Sequence, residues 1–152
     1  ELTVEPTESF AMPSADGYQV YGALLSALDQ VASDVSERVH DSPLGSLHNS
    51  GLLGSFRSCD RKFHKRVDAS ETYRLSLGVT DPADQRVFEA LADAFVFSGD
   101  TLSLSEGELR VRDFASSKIT QEEMLEDAAT AVDDRPETFD IEMRFRTPTC
   151  IE

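Results

Sequence analysis

Two of the three histidines in this chain, His40 and His48, flank a short run of small and polar residues. The surrounding stretch, SERVHDSPLGSLHNSGLLGSF, begins with helix-forming residues up to His40 and continues with Ser, Pro, Gly and Asn. An imidazole at the rim of a site can act as a general acid or base, because an unperturbed histidine titrates at about pH 6.5. The alternative is that His40 caps a helix and that the segment after it is an exposed linker.

A second group of informative residues lies in FRSCDRKFHKR, residues 56–66, where five basic side chains stand beside a single acid, Asp60. Arginine can bind phosphate oxygens with two parallel hydrogen bonds, and lysine supplies a point charge. The stretch is therefore either a phosphate-binding loop or a solvated loop, and His64 within it is a candidate phosphate contact. The five basic residues are Arg57, Arg61, Lys62, Lys65 and Arg66.

The basic stretch is unusual because the whole chain of 152 residues has a formal charge of −15. Its 15 Asp and 14 Glu stand against 11 Arg and only 3 Lys. This balance predicts a halophilic protein, one that works in concentrated salt. At about 1 M ions the Debye length is roughly 3 Å, which screens acidic self-repulsion. The partner must then be inferred from local patches rather than from net charge.

Several classes of protein are disfavoured by the sequence. No apolar run approaches the length of a membrane span, and no secretory leader opens the chain, so a cytoplasmic protein is expected. Cys59 and Cys150 lie far apart without a CxxC pair, which predicts two thiols and no zinc site. P-loop, GxGxxG, HExxH and GxSxG motifs are absent. We expect no cofactor and no metal.

The elements that must position these residues follow from hydrophobic spacing. ELTVEP alternates as a first strand, and residues 14–39 carry apolar side chains at helical spacing. LLGSF and TYRLSLGV are predicted as strands on either side of a basic loop. A helix over 82–97 is predicted, followed by two strands in TLSLSEGELRVRDF. The expected core face of the helix over 82–97 is Phe88, Leu91, Ala92, Phe95 and Val96.

Two further elements are predicted near the end of the chain. Thr120 and Glu123 form a capping box that opens a short acidic helix. TFDIEMRFR then alternates as a strong strand over residues 139–145. The overall order, strand–helix–strand–strand–helix–strand, predicts an α+β ferredoxin-like (βαββαβ) sandwich with two helices on one face of an antiparallel sheet.

Three stretches, read in order, resemble one known family. YGALLSALDQVASDVSERVHD resembles its first helix, SPLGSLHNSGLLGSF its following turn, and IEMRFRTPT the strand that ends its first domain. The family is the CRISPR-associated endoribonucleases, which cut repeat RNA into guide units. The resemblance spans nearly the whole chain but about half of a family protein. It implies a ferredoxin-like N-terminal domain over 1–146 and, at 147–152, the start of a second domain.

The resemblance also implies a reaction and a partner. His40 occupies the place of the histidine that deprotonates a ribose 2′-hydroxyl, which attacks the adjacent phosphorus without a metal. Tyr21 is a candidate helper, because some members place a tyrosine where this chain has Leu25, and Tyr21 lies one turn earlier on the same face. His48 is a second candidate helper. CRISPR repeat RNA is the expected partner, with an effector complex as a further one. The alternatives are a non-catalytic RNA-binding subunit or an acidic protein-interaction domain.

A last candidate site follows the strand that ends near residue 114. Ser116, Ser117 and Lys118 could offer two hydroxyls and an ammonium group to a phosphate. The alternative is a plain loop.

Overall fold

The computed structural model describes residues 1–42, 47–79, 85–98 and 101–132. The chain divides into two compact units, which are Glu1–Ala115 and Ser116–Glu152, and each is described by itself.

A five-stranded antiparallel sheet is the main element of the first unit. From one edge to the other it consists of β3 (Leu47–Leu53), β6 (Tyr73–Val79), β1 (Leu2–Pro6), β8 (Glu108–Phe114) and β7 (Thr101–Ser103). Apart from the added edge strand β7, this is the strand order of a ferredoxin-like sandwich, so the predicted fold class is confirmed. The fourth strand of the sandwich is β8, whereas the strand predicted at 139–145 lies outside the described residues.

One face of this sheet is buried because apolar side chains alternate along its strands. In β1, Leu2 and Val4 are fully buried, and the antiparallel register places Leu75 and Tyr73 of β6 directly beside them. Two helices, α1 (Gly17–Val31) and α3 (Gln85–Ala92), contribute their apolar sides to the same core. The opposite face of the sheet carries mainly polar and charged side chains.

The long helix predicted over residues 14–39 is two helices. α1 ends at Val31, and α2 (Ser33–Asp41) begins after a break at Ala32, whose φ of −155° and ψ of 79° are not helical. The Ser36 hydroxyl donates to the Leu25 carbonyl oxygen over 3.1 Å and ties the two helices together. The apolar spacing continues through the break, which is why the sequence alone did not reveal it.

The second predicted helix is present, and its predicted core face is right for Leu91 and wrong for Phe88. Val87, Ala90 and Leu91 are buried, whereas Phe88 is 39% exposed. After α3 the chain continues as a π-helical segment, Asp93–Ser98, which adds a residue per turn and rotates the later side chains. Val96 is 52% exposed, contrary to the prediction, whereas Phe95 lies in the core as predicted.

A second, three-stranded antiparallel sheet contains part of the basic stretch, which was predicted to be a loop. It consists of β2 (Phe10–Pro13), β5 (His64–Val67) and β4 (Arg57–Ser58), in that order. We call β4, β5 and the turn between them the basic hairpin, residues 57–67. Strand β2 was not predicted, because FAMP is short and ends in proline.

The second unit contains α4 (Gln121–Val132) among its described residues. The predicted capping box is present: Glu123 N–H donates to the Thr120 hydroxyl over 3.1 Å, and Thr120 N–H donates to the Glu123 carboxylate over 2.7 Å. The predicted boundary between 1–146 and 147–152 falls outside the described residues and stays a prediction. Among the described helices, none has the length and apolar character that crossing a membrane requires.

Candidate nucleic-acid interface and histidine site

His40 and the hydroxyl group of Tyr21 both lie near the end of α2. His40 is exposed in the last turn of that helix, as predicted. From α1, the half-buried Tyr21 donates its hydroxyl to the carbonyl oxygen of Val39 over 3.4 Å. That carbonyl belongs to the peptide bond between Val39 and His40. Tyr21 therefore supports the backbone that carries the imidazole and leaves the imidazole itself open to solvent.

His48 belongs to a different element. It lies on β3 opposite Gly78 of β6, and it is exposed on the sheet face away from the core because its neighbour Leu47 is buried. Residues 43–46, which connect α2 to β3, are outside the described part of the chain. A catalytic role for His48 stays a prediction.

The basic side chains of the hairpin strands point to different faces of the three-stranded sheet, because side chains alternate along a strand. Arg57 and Arg66 are direct cross-strand partners, so their side chains share the outer face of the three-stranded sheet. Like charges directly opposite each other destabilise a sheet unless an anion lies between them. Asp68 supplies one carboxylate, which forms an ion pair with Arg57. The Ser70 backbone N–H and hydroxyl, with a smaller contribution from the two arginines, hold the pKa of Asp68 below its usual value.

The turn of the hairpin exposes further cations. Arg61 lies 3.7 Å from Glu106 in an ion pair between two exposed side chains. Lys62 lies 4.9 Å from the ring centroid of Phe63, and neither Lys62 nor Arg66 forms an ion pair with any residue that the structure describes. His64 Nδ1 lies 2.9 Å from the Lys62 carbonyl oxygen, which turns one side of its ring toward the backbone. The exposed cations of the hairpin are Arg57, Arg61, Lys62 and Arg66.

Lys65 differs from these four because it points to the inner face of the sheet. Its ammonium nitrogen lies 3.1 Å from Asp16 Oδ2, 3.4 Å from the Leu52 carbonyl oxygen and 4.0 Å from the ring centroid of Phe56. Its side chain is only 15% exposed. These contacts favour a role in fixing the hairpin to the main sheet. A contact between Lys65 and RNA stays a prediction from sequence.

Asp16 is the buried partner that sequence reasoning missed. The sequence marks it as a helix-start residue, and it does stand at the N-cap of α1, but its carboxylate forms no capping bond. Instead Oδ2 accepts a hydrogen bond from Leu52 N–H over 2.9 Å as well as the Lys65 contact. A residue that stands before a helix is typically assigned to that helix, so only the tertiary structure shows that this carboxylate joins α1, β3 and β5.

The remaining candidates lie elsewhere. Ser116, Ser117 and Lys118 are exposed and begin the second unit, and their phosphate-binding role stays a prediction. Cys59 is a free thiol. Among the described residues, His, Cys, Asp and Glu side chains form no group of three that could hold a metal ion.

Comparison with known proteins identifies the fold. No protein-family model and no curated protein sequence matches the chain. A solved structure described as "An RAMP protein binding different RNA substrates" is similar, with a TM-score of 0.58 and 16% identity, over 79% of this chain and 49% of the other. A second, from "Characterization of a Cas6-related gene from Pyrococcus furiosus", has a TM-score of 0.51 and 12% identity, over 78% and 50%.

The chain thus spans about half the length of each of these structures. At such low identity the likeness shows the fold alone. The resemblance found in the sequence is confirmed at that level: the structural neighbours are RAMP and Cas6-related proteins, and they share the ferredoxin-like architecture.

Proposed function

We propose that this chain binds CRISPR repeat RNA through the basic hairpin. The observation that carries the proposal is the exposed cluster of Arg57, Arg61, Lys62 and Arg66 on a chain of charge −15. Arg57 and Arg66 lie side by side, where a phosphate would offset their mutual repulsion. The fold adds support, because one structural neighbour is described as a RAMP protein that binds different RNA substrates.

We further propose that the RNA is cut at His40. As general base, its imidazole would accept the proton of a ribose 2′-hydroxyl, and the resulting oxygen would attack the adjacent phosphorus. The bond to the 5′-oxygen then breaks, which yields a 2′,3′-cyclic phosphate and, after protonation, a free 5′-hydroxyl. The exposure of His40 and the support of its backbone by Tyr21 suit a group that must reach a large substrate. In this proposal the reaction needs no metal.

A second candidate function is RNA binding without cleavage. It is favoured by the His40 ring, which no described residue fixes through a hydrogen bond or ion pair. A general base usually acts from a fixed tautomer and orientation, which a second group provides. In that case the hairpin would hold RNA, and another protein of an effector complex would use it.

One experiment separates these functions. The chain is incubated with labelled repeat RNA in EDTA, over a range of salt concentrations, and both binding and cleavage are measured. Cleavage that survives EDTA and is lost in His40→Ala, with binding intact, supports the endoribonuclease. Tyr21→Phe should reduce cleavage less than His40→Ala. Binding without cleavage supports the second candidate, and no binding at any salt concentration would leave the alternative of an acidic protein-interaction domain.

The hairpin is tested in the same assay by changing its four exposed cations to glutamine. Each lost phosphate contact should reduce the steepness of the plot of log affinity against log salt by about 0.7 on a single strand. Loss of all four contacts should therefore reduce that slope by roughly 3. We expect the largest loss of binding in dilute buffer and a smaller one in multimolar salt. Arg86→Gln is the control, because Arg86 is an exposed arginine on α3 outside the hairpin. Equal effects of the two variants would place the RNA path elsewhere.

A further inference from the structure

The turn of the basic hairpin presents an aromatic ring to solvent. Phe63 is 76% exposed, and its φ of 60° lies in the left-handed region. Among the described residues other than glycine it is alone in having a positive φ. A bulky side chain is disfavoured in this conformation, where Gly, Asn or Asp is the ordinary choice. Neither burial nor turn chemistry therefore explains a phenylalanine at this position.

The backbone around Phe63 is held by hydrogen bonds. Ser14 N–H donates to the Phe63 carbonyl oxygen over 2.9 Å, which joins the turn to the segment before α1. Within the turn, His64 N–H donates to the Arg61 carbonyl oxygen over 3.2 Å. These bonds hold Phe63 in its unfavourable conformation with the ring projecting from the protein. Such local strain, when the surroundings impose it, is concentrated at functional sites.

The surroundings of the ring are cationic. Lys62 Nζ lies 4.9 Å from the ring centroid, a distance typical of a cation–π contact, and this ammonium covers one face of the ring. Since Phe63 is 76% exposed, we expect the opposite face of its ring to be accessible to a second flat partner. Arg61 and His64 stand on either side in the same turn. Proteins that hold single-stranded nucleic acid combine these two features, aromatic platforms for bases and cations for the backbone.

We propose that Phe63 is a stacking platform for a nucleobase of single-stranded RNA. This inference rests on the proposed function and adds the site at which an unpaired base is held. One base lies flat on the open face of the ring, while Lys62 and Arg61 contact the phosphates that flank it. Stacking tolerates any base, because every base has a π face. The site therefore selects single-stranded over double-stranded RNA rather than a particular sequence.

Four substitutions separate stacking from simple apolar bulk. Phe63→Leu keeps an apolar side chain but removes the ring, and we expect RNA affinity to fall on the order of 10-fold or more. Phe63→Tyr and Phe63→Trp keep a ring and should bind within about threefold of the parent. Phe63→Asn also removes the ring but suits a positive φ, so it should lose affinity while its melting temperature stays level or rises. A structural role for Phe63 would instead lower the melting temperature.

A direct readout is available because the chain contains no tryptophan. In Phe63→Trp the indole is the sole tryptophan, and stacking of a base on it should quench its fluorescence. The probes are a single-stranded repeat RNA and an abasic oligonucleotide of equal length and charge. Quenching by the RNA and not by the abasic strand supports the site. Equal response to both probes, or no response to either while RNA binds, overturns it.

Failure of this inference is distinguishable from failure of the proposed function. If the parent chain binds RNA and Phe63→Leu binds it equally well, the stacking site is wrong and the basic hairpin still stands. If the parent chain binds no RNA, both are wrong. If Phe63→Leu instead abolishes self-association in sedimentation, the ring contacts a second copy of the chain and the nucleobase site is wrong.

Discussion

The buried ion pair between Asp16 and Lys65 allows a quantitative test of how the basic hairpin is held. Asp16 is 3% exposed and Lys65 is 15% exposed at the side chain, with 3.1 Å between Oδ2 and Nζ. Asp16→Asn keeps an oxygen that can accept from Leu52 N–H, so the change removes the negative charge and little else. Lys65→Met removes the positive charge and keeps an unbranched side chain of similar reach.

The expected magnitude follows from what each variant leaves behind. Removing one partner of a fully buried pair costs about 3–5 kcal/mol, because the other charge loses its compensation. Lys65 retains some solvent, the Leu52 carbonyl oxygen and the Phe56 ring, so for Asp16→Asn we expect about 2–3 kcal/mol in the free energy of unfolding. Lys65→Met should cost about as much. The double variant should lose less than the sum of the two, with a coupling of about 2 kcal/mol.

Urea denaturation of the four proteins measures this coupling, and a surface pair provides the control. Arg86 and Asp34 are 2.8 Å apart, but their side chains are 61% and 65% exposed. Their coupling should be below about 1 kcal/mol and should fade in 1 M salt, whereas the buried pair should keep most of its coupling. If both pairs gave the same coupling and the same salt dependence, the assignment of Lys65 to the fold rather than to the RNA surface would be refuted.

Three other predictions test the hairpin and its support. Gly51→Ala should lower the free energy of unfolding by about 2 kcal/mol, because φ is +64° and a Cβ would lie 2.4 Å from Asp16 Oδ1. As a control, Gly22→Ala should raise the free energy of unfolding by about 0.5–1 kcal/mol, because a Cβ at Gly22 would meet open space. In thermal or urea unfolding, Tyr73→Phe should cost about 1–3 kcal/mol, since its hydroxyl accepts from Asp68 N–H and donates to the Ser55 carbonyl oxygen. NMR titration of the Asp68 carboxyl should give a pKa below its usual value, and Ser70→Ala should raise that pKa. Because the pKa is lower in the folded state than in the unfolded state, ionised Asp68 stabilises the fold at neutral pH. This stabilisation is lost as the pH falls below about 4.

The sequence predicted the central strands of the main sheet well because one face of that sheet is buried. LLGSF, which was predicted as a strand, overlaps β3 only at Leu52 and Leu53. Alternation in ELTVEP and TYRLSLGV identifies β1 and β6, and the pattern is reliable where every second side chain enters the core. It failed for β2, which has four residues and packs in a separate small sheet. Apolar spacing also could not show the break at Ala32 or the π-helical segment after α3, since both change the direction of side chains without changing their order.

The candidate site was predicted in part. The position of His40 at a helix end and the concentration of cations at 57–66 are properties of the sequence itself, and the structure shows both. The difference between Arg66 and Lys65 depends on register, because neighbouring residues of β5 point to opposite faces and only pairing with β2 and β4 decides which face is buried. Phe63 went unrecognised because its significance lies in its backbone conformation, which composition does not reveal.

The central position of β1 has a consequence for synthesis of the chain. Leu2 pairs with Leu75 on one side and with Phe114 on the other, so β1 leaves the ribosome well before either of its partner strands. At about 5–20 residues per second, β1 waits several seconds before β8 is available. Pairings this distant in sequence also slow the search for the native state. During that interval β1 exposes unpaired backbone groups, and the many acidic residues of the nascent chain would oppose its association with other chains.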